Sequence, residues 1–237
     1  MGGPRFLPAG EAALTVEYGA TAEPAFHDSV LALDAALAAA PIEGIIETVP
    51  TYRSLTIHFD PGMFGADELV ARLRRLDIAA ARRGAPQHWR IPACYDPPCC
   101  EDLDEVARRL DLAPDKVAEL HAAPRYTVVM YGFAPGFVFL AGLPDALRIP
   151  RRETPRAPAP SGALTIANGQ ALIASVAMPT GWYMLGRTPA RTFDPTRDPA
   201  FPIAVGDTVT FERIDAARFE ALEREVAAGH DPLARAS

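Results

Sequence analysis

Gly132-Phe133-Ala134-Pro135-Gly136-Phe137-Val138-Phe139-Leu140 is the stretch around which the rest of the chain is organised. Its alternation of small, rigid and aromatic residues differs from the ordinary pattern of a buried strand. Glycine permits unusual backbone angles and close approach, proline fixes φ, and aromatic rings supply rigid walls. The stretch therefore indicates a conformationally constrained segment with rigid aromatic walls.

An arginine- and proline-rich segment follows, from Arg148 to Pro160. It contains Arg148, Arg151, Arg152 and Arg156. A guanidinium group offers a planar fork of donors that matches a carboxylate or a phosphate. Two interpretations stay open on chemistry alone: an anion-binding site, or a solvated basic loop between strands.

The composition limits the kinds of protein that this chain can be. The chain has 237 residues, a mass of 25.4 kDa, 49% hydrophobic and 22% charged residues, and a net charge of −7. These values are typical of one large or two small soluble domains, and the negative charge disfavours a nucleic-acid partner. Apolar runs are too short for a membrane span and the N-terminus lacks a signal-peptide core, so we expect a cytoplasmic protein without membrane contact.

The numbers and positions of the cysteines and lysines limit which disulfides, metal sites and covalent cofactors the chain can have. The three cysteines, Cys94, Cys99 and Cys100, are an odd number without zinc-site spacing, so we expect neither a disulfide framework nor a metal site. Lys116 is the only lysine, and it lies outside any phosphate-binding Gly-Lys-Ser/Thr loop. It is not flanked by methionines either, so we expect no biotin on this chain.

The first part of the chain, residues 1–86, predicts a small α+β domain of the ferredoxin-like type. Alternation around Leu14–Tyr18 indicates a strand, and helical spacing predicts a helix over about 23–40. Two strands follow, Ile45–Val49 and Arg53–Phe59, and then a second helix. The composition changes to Arg, Gly and Pro over Ala81–Pro86, which predicts the domain boundary there.

The second part, residues 87–237, predicts many short strands separated by Gly/Pro turns, which is typical of a closed barrel or a sandwich. The predicted strands after the first helices are Tyr126–Tyr131, Leu164–Ala167, Ala171–Val176, Trp182–Leu185 and Thr208–Ile214, followed by a helix over Asp215–Ala228. His121 falls on the apolar face of a helix that begins at Pro114, so the pattern alone favours a buried, hydrogen-bonded histidine.

The central region carries a series of short motifs in a fixed order. They are the Gly132–Phe137 run, Gly142-Leu143-Pro144, Pro150-Arg151-Arg152, Pro155-Arg156, Pro160-Ser161-Gly162, Gln170, Gly181-Trp182 and Gly186-Arg187-Thr188-Pro189. In these motifs the chain resembles the allophanate hydrolase subunit 1 family, which includes the B component of bacterial 5-oxoprolinase and the kinase inhibitor KipI and consists of the carboxyltransferase domain, subdomains C and D. The resemblance extends more weakly over nearly the whole chain.

The resemblance implies a cyclophilin-like barrel that carries the site, placed after the ferredoxin-like domain in an α+β chain. It also raises His121 from a core residue to a candidate for catalysis. The expected catalytic residues are His121, Gln170 and Arg187; the expected substrate- or anion-binding residues are Phe133, Pro135, Gly136, Phe137, Arg151, Arg156, Gly162 and Trp182. The polar members of this set can bind an anion and an amide, but the set includes no obvious carboxylate base. The chain alone therefore resembles half of an active site.

The implied activity is that of the B component of an ATP-dependent 5-oxoprolinase, which converts 5-oxoproline, ATP and water to glutamate, ADP and phosphate. ATP, with Mg²⁺, is the expected cofactor. The expected partners are a homologous second subunit, of the C or KipA type, and a lactam-utilisation protein that forms the A component. Two alternatives remain: a KipI-like inhibitor of a sensor histidine kinase, and a carboxyltransferase-type member of a urea carboxylase-like system that needs a separate biotin-bearing partner.

Two short segments depart from the family pattern. After Gln170 the pattern has Thr-Gly and then Ile-Tyr-Pro, whereas this chain has Ala171-Leu172-Ile173-Ala174-Ser175. Before the tryptophan it has Ser-Pro-Gly-Gly, whereas this chain has Met178-Pro179-Thr180-Gly181. The loss of three hydroxyl groups predicts a more apolar pocket and leaves the substrate open.

Overall fold

The computed structural model describes residues 3–81 and 84–235, with Arg156 and residues 234–235 described by their backbone alone. The chain forms two compact units that divide between Ala85 and Pro86. Arg82 and Arg83, which belong to the predicted boundary segment, lie outside the described residues. Among the helices of the described ranges, none combines the length and the apolar character needed to span a membrane.

The first unit is a four-stranded antiparallel sheet with two helices. In chain order its elements are β1 (Arg5–Pro8), β2 (Ala13–Glu17), α1 (Pro24–Ala39), β3 (Ile45–Pro50), β4 (Ser54–Phe59) and α2 (Ala66–Leu73). The sheet order is β1-β2-β4-β3, so β4 lies between the two strands that α1 connects. This split βαβ arrangement confirms the ferredoxin-like prediction, while the edge strand β1 was not predicted.

Strand alternation sets the core of this unit. Leu55, Ile57 and Phe59 on β4 are completely buried, and the residues between them, including His58, face away from the core. The His58 side chain is 42% exposed. The period-2 pattern thus identified the buried face of β4 correctly.

The second unit is built mainly from strands. In chain order they are β5 (His88–Cys94), β6 (Tyr126–Tyr131), β7 (Val138–Ala141), β8 (Arg156–Ala159), β9 (Ala163–Ala167), β10 (Gln170–Ile173), β11 (Met178–Thr180), β12 (Tyr183–Arg187), β13 (Thr208–Ile214) and β14 (Ala234–Arg235). Its helices are α3 (Leu103–Leu110), α4 (Pro114–Ala122) and α5 (Ala216–Ala227), with a 3-10 turn at Asp145–Leu147.

Seven of these strands close into a barrel in the order β12-β9-β10-β7-β6-β13-β5, and β12 pairs with β5 to complete the ring. Closure brings two backbones together at Gly186, where a Cβ atom would lie only 2.5 Å from the Cys94 carbonyl oxygen. The residue at this position must therefore be glycine. The predicted barrel is confirmed, whereas the separate two-stranded sheet of β8 and β11 was not predicted.

A buried carboxylate ties the barrel strands together near the start of β5. Asp207, 3% exposed, accepts hydrogen bonds from the Gln87 and Ala204 backbone N–H groups and from Trp89 Nε1, each at 2.9 Å. Charge-assisted hydrogen bonds of this kind offset the cost of burying the carboxylate.

The cysteines lie close to the point of barrel closure. Cys94, Cys99 and Cys100 all carry free thiols. Burial raises the pKa of the Cys99 thiol to about 12, and contact with Cys94 adds to the rise. In residues 3–81 and 84–235, no group of three His, Cys, Asp or Glu side chains is placed to hold a metal ion.

Candidate functional site

The candidate site lies on the outer face of the barrel. Residues of β9 and β10 alternate between two environments: Leu164, Ile166, Ala171 and Ile173 point into the barrel core, and their neighbours point outward. Pairing registers align one outward row across four strands, namely Met184, Thr165, Leu172 and Phe139. Since Thr165 is the single polar member of this row, it stands out among apolar neighbours.

The sheet of β8 and β11 and the loops around it cover this outward row and leave a cavity of about 360 Å³. This volume is at the lower end of the range for small-molecule sites, about 300–1,000 Å³. The lining residues are Phe133, Phe137, Phe139, Arg151, Pro155, Ala159, Thr165, Leu172, Ala174, Val176, Met178, Pro179, Thr180, Gly181 and Trp182. The wall is mostly apolar, with a few polar groups, as is usual for a ligand pocket.

The Gly132–Leu140 stretch forms one side of the cavity. Phe137 is buried, and its ring meets the Phe133 ring edge to face at a centroid distance of 5.8 Å. Phe133 is 80% exposed and has a left-handed backbone with φ of 71°. A bulky residue in this conformation is strained, which is typical of functional sites.

The remaining members of this loop support its shape. Gly136 has φ of 78°, and a Cβ atom there would lie 2.4 Å from Cβ of Phe193. Pro135 is exposed, and its carbonyl accepts a hydrogen bond from the Ser175 hydroxyl. Of the four loop residues predicted to bind substrate, Phe133 and Phe137 line the cavity, whereas Pro135 and Gly136 hold the loop in place.

The arginines of the Arg148–Pro160 segment have different environments. Arg148 pairs with Asp145 at 3.1 Å on the surface. Arg152 binds Asp102 at 3.2 Å and Glu105 at 2.7 Å on α3. Both arginines are therefore neutralised within the chain.

Arg151 differs from both neighbours, because no carboxylate of the described residues forms an ion pair with it. Its guanidinium passes over Gly181, where a Cβ atom would lie 3.4 Å from Nε. Arg151 lines both the apolar cavity and a second, polar cavity of about 330 Å³ beside Arg109, Arg152 and Tyr183. A free cation thus lies at the boundary of the two cavities.

Arg109 and Arg152 beside the polar cavity are paired with carboxylates and contribute to the stability of the fold; they do not form an open anion-binding site. Burial raises the pKa of Asp102, although hydrogen bonding from the Met184 N–H and the charge of Arg152 oppose the rise. Burial also acts to raise the pKa of Glu105, but hydrogen bonds and charges from Arg152 and Arg109 outweigh it and bring that pKa below its ordinary value. The ion pairs attach the start of α3 to the arginine segment, and the hydrogen bonds between Asp102 and the Met184 backbone attach it to β12.

Thr165 is a residue of this site that sequence reasoning missed. It is 1% exposed, and its hydroxyl oxygen has no hydrogen-bond partner in the described structure. Buried hydroxyls without a partner are uncommon in native proteins and call for an explanation. No local sequence signal marks Thr165, because threonine is an ordinary strand residue.

The three predicted catalytic residues lie away from the cavity lining. Gln170 begins β10 on the same face as Leu172 but at the end of the strand, opposite Ala167. Arg187 donates to Glu223 on α5 at 3.0 Å and lies 4.9 Å from the Phe219 ring centroid. His121 is 1% exposed in the barrel core. The structure therefore does not bring His121, Gln170 and Arg187 together at one site.

Three further residues were predicted to bind substrate. Trp182 lines the cavity, and its ring contacts Phe139 edge to face at 5.9 Å. Gly162 is buried beside Thr188, where backbone atoms leave no space for a side chain. Close packing against the Thr188 backbone, and not contact with a ligand, therefore explains why this residue is glycine. The backbone of Arg156 belongs to β8, and its side chain lies outside the described part of the structure.

Comparison with known proteins assigns the chain to a family. Residues 4–203 match the family described as carboxyltransferase domain, subdomain C and D. The chain belongs to this family. Relatives include the B subunit of 5-oxoprolinase from Bacillus subtilis (strain 168), 32% identical over 91% of this chain and 95% of the relative, and that of Escherichia coli O157:H7, 32% identical over 70% and 77%. The resemblance inferred from sequence is confirmed.

Solved structures similar to this chain agree with the fold. The crystal structure of TTHA0988 is 35% identical with a TM-score of 0.77, over 86% of this chain and 40% of that one, so this chain spans less than half of that protein. The uncharacterized protein PH0987 of Pyrococcus horikoshii is 33% identical with a TM-score of 0.55, over 91% and 100%. Urea amidolyase of K. lactis has a TM-score of 0.74 at 16% identity, over 98% and 16%, and shows likeness of fold alone.

Departures from the carboxyltransferase-family pattern are concentrated in the cavity wall. Leu172 and Ala174 of the segment after Gln170 line the cavity, and so does the whole segment from Met178 to Gly181. Ala174 stands where the pattern has tyrosine, so a methyl group replaces a hydroxyl-bearing ring. Ala171, by contrast, faces the barrel core. Two of the three positions with a lost hydroxyl group, Ala174 and Met178, thus belong to the cavity wall, where Thr180 contributes a hydroxyl group of its own.

His121 leads to a prediction about pH. Its Nδ1 lies 2.7 Å from the Tyr95 hydroxyl, its ring stacks on Phe211 at 5.0 Å, and Nε2 has no hydrogen-bond partner among the described residues. The Tyr126 hydroxyl donates to the His121 carbonyl. Burial lowers the pKa of His121 from 6.5 to about 3, so the folded chain keeps the ring neutral. This environment favours a structural role over a catalytic one.

Because the unfolded chain binds a proton at His121 below pH 6.5 and the folded chain does not, protonation favours unfolding. The free energy of unfolding is expected to fall by about 1.4 kcal/mol per pH unit from this group as pH decreases from 6.5 towards 3. Urea unfolding between pH 7 and 5 measures the slope. His121→Phe should reduce it by about one proton. An unchanged slope in His121→Phe would contradict a neutral, buried ring.

Proposed function

We propose that this chain is the B-type subunit of an ATP-dependent lactam or amide hydrolase, with 5-oxoproline as the leading substrate. Its relatives named as the B subunit of 5-oxoprolinase, 32–33% identical over 70% or more of this chain, support the proposal. In the proposed reaction 5-oxoproline, ATP and water yield glutamate, ADP and phosphate. A homologous C-type subunit and a lactam-utilisation protein, the A component, complete the enzyme.

The observation that carries this proposal is the composition of the apolar cavity. Its lining contains one arginine and two threonines, and none of its described residues is Asp, Glu, His, Lys or Cys. Arg151 can bind and orient a substrate carboxylate, but the wall offers no general base and no activated nucleophile. Such a cavity fits a protein that binds substrate while a partner supplies the catalytic groups.

ATP does not fit the described residues of this chain well. A triphosphate carries several negative charges, and of the arginines around the polar cavity, Arg109 and Arg152 are engaged by Glu105. Arg151 alone is a weak match to that charge. We therefore propose that a partner protein holds ATP with Mg²⁺ and that Arg151 binds the lactam carboxylate.

The test is ATP turnover by this chain co-expressed with its C-type and A-type partners, with and without 5-oxoproline. Lactam-dependent ADP release is expected. Arg151→Gln should lower kcat/KM for the lactam by about 100-fold, because a hydrogen bond to a charged group contributes about 1.5–3 kcal/mol and each 1.4 kcal/mol corresponds to a factor of ten.

Arg148→Gln is the matched control, since Arg148 belongs to the same segment but is exposed and paired with Asp145. It should leave turnover within about twofold of the parent chain. A stable three-component complex without lactam-dependent ADP release would remove 5-oxoproline as the substrate, and equal turnover of the two variants would remove Arg151 from the site.

A KipI-like inhibitor of a sensor histidine kinase is the second candidate. The exposed Phe133 ring at the cavity mouth favours it, because exposed aromatic side chains are common in protein interfaces. Inhibition of kinase autophosphorylation by this chain alone, together with no assembly into a lactam-hydrolysing complex, would favour this candidate over the enzyme component.

A further inference from the structure

We infer that the apolar cavity binds a cyclic amide that carries one carboxylate and an apolar ring substituent, and is thus bulkier and more apolar than 5-oxoproline. The assignment of the ligand as a cyclic amide rests on the proposed function. The single charge, the hydrogen-bonding group and the apolar substituent follow from the cavity itself. Arg151 binds the carboxylate, and Thr165 forms a hydrogen bond with a polar group of the ring.

The buried hydroxyl of Thr165 calls for a polar group on the ligand. Its oxygen is shielded from water and lacks a partner, although such a group costs free energy unless it is paired. The residue belongs to the cavity wall, and the side chains of its neighbours in the outward row, Met184 and Leu172, offer no polar atom other than a thioether. The main-chain N–H and carbonyl of Met184 are hydrogen-bonded to Asp102. A polar group of a ligand bound against this wall can satisfy the Thr165 hydroxyl.

The charge of the cavity calls for one carboxylate. Arg151 is the only charged residue in the described cavity lining, and no described carboxylate pairs with it as Asp145 pairs with Arg148 and Asp102 with Arg152. One free guanidinium matches one carboxylate. Its position at the rim, where the polar cavity begins, leaves the charged end of the ligand near solvent and directs the rest inward.

The remaining space calls for an apolar substituent. A volume of about 360 Å³ corresponds to roughly a dozen water molecules at about 30 Å³ each, and one unsubstituted lactam ring leaves much of it unfilled. Phe139, Leu172, Met178 and Trp182 provide apolar surface around this space. Burying an apolar substituent there is favourable in proportion to the area removed from water.

The test uses the isolated full chain and the fluorescence of Trp182, which lies in the cavity wall. The probes are 5-oxoproline, a benzyl-substituted 5-oxoproline, and the neutral carboxamide of the benzyl compound. We expect the benzyl acid to bind at least tenfold more tightly than 5-oxoproline and its carboxamide to bind about tenfold more weakly than the acid. Trp182→Phe should abolish the signal, because the other tryptophan, Trp89, lies at the buried Asp207.

Two variants assign the roles of the polar groups. Arg151→Gln should remove the difference in affinity between the acid and the carboxamide, and Arg148→Gln should preserve it. Thr165→Val, which keeps the side-chain shape, should raise the urea midpoint because an unpaired buried hydroxyl is removed, yet weaken binding of both compounds by about tenfold. A purely structural Thr165 would change stability without changing affinity.

The outcomes separate this inference from the proposed function. Tighter binding of 5-oxoproline than of the benzyl acid, or equal affinity of acid and carboxamide in the parent chain, would overturn the inference even if the complex turned over 5-oxoproline. Unchanged affinity in a folded Thr165→Val variant would overturn the role of Thr165. Binding of the benzyl acid without ATP turnover by any assembled complex would support the inference and contradict the proposed hydrolase.

Discussion

Gly162→Ala is expected to prevent formation of a stable barrel, with a loss of at least about 4 kcal/mol in the free energy of unfolding. Gly162 has φ of 79°, and a Cβ atom would lie 2.0 Å from the Thr188 carbonyl oxygen. The clash involves backbone, and the surrounding backbone is fixed. The Gly162 N–H donates to the Ala174 carbonyl at 2.7 Å, and the Gly162 carbonyl accepts from the Thr188 N–H at 2.8 Å. Relief of the clash must break these bonds.

Gly169→Ala provides the matched control. Gly169 has nearly the same backbone angle, with φ of 76°, but the three atoms nearest to a Cβ there belong to the flexible Arg148 guanidinium, the first at 3.5 Å. Its cost should be limited to the left-handed conformation of a non-glycine residue, about 1–2 kcal/mol. Urea unfolding followed by circular dichroism measures both variants. If both variants lost similar amounts of stability, the left-handed backbone angle, and not the close approach to Thr188, would explain the requirement for glycine at position 162.

This contrast bears on how family motifs are interpreted. Gly162 was expected to bind substrate because it belongs to a Pro-x-Gly motif in the central region. The structure places it where three backbone segments meet, and its hydrogen bonds are main-chain bonds. A motif residue can thus be required by packing next to a site without contacting the ligand. The sequence alone does not distinguish these two causes.

Much of the fold could be predicted, because it depends on local periodicity. Alternation in β4 and helical spacing in α1 each bury one face, and both patterns are strong over short segments. The barrel strands β6, β9, β10, β12 and β13 were found in the same way, whereas β7 was not predicted. The sheet of β8 and β11 was missed because its proline-rich segments have no regular alternation, and its pairing joins residues about twenty positions apart.

The candidate site was predicted only in part, because partners that are distant in sequence decide its chemistry. Arg151 and Arg152 are adjacent, yet Arg152 binds Asp102 and Glu105 on α3 while Arg151 stays unpaired among the described carboxylates. Likewise, Thr165 becomes notable only because β10 and β12 bury its hydroxyl. Neither fact is visible in the residue types themselves.

A second large effect is expected from Asp207→Asn, which should reduce the free energy of unfolding by about 3 kcal/mol. The carboxylate accepts three N–H groups: Gln87 N–H on Oδ1, and Trp89 Nε1–H and Ala204 N–H on Oδ2. Asparagine keeps the shape but replaces one acceptor oxygen with a donor NH₂ group. At least one buried N–H then faces another donor, and the charge assistance of the remaining bonds is lost.

Asp145→Asn is the control, because the Asp145 side chain is 92% exposed and pairs only with Arg148 on the surface. Its effect should be within about 0.5 kcal/mol, as is usual for exposed ion pairs. Urea unfolding gives both values, and the fluorescence of Trp89 should change in Asp207→Asn alone, since its indole N–H loses or changes its acceptor. A loss below about 1 kcal/mol with altered Trp89 emission would mean that water or relaxed backbone compensates the lost acceptor. The carboxylate would then not be what holds β5 against β13.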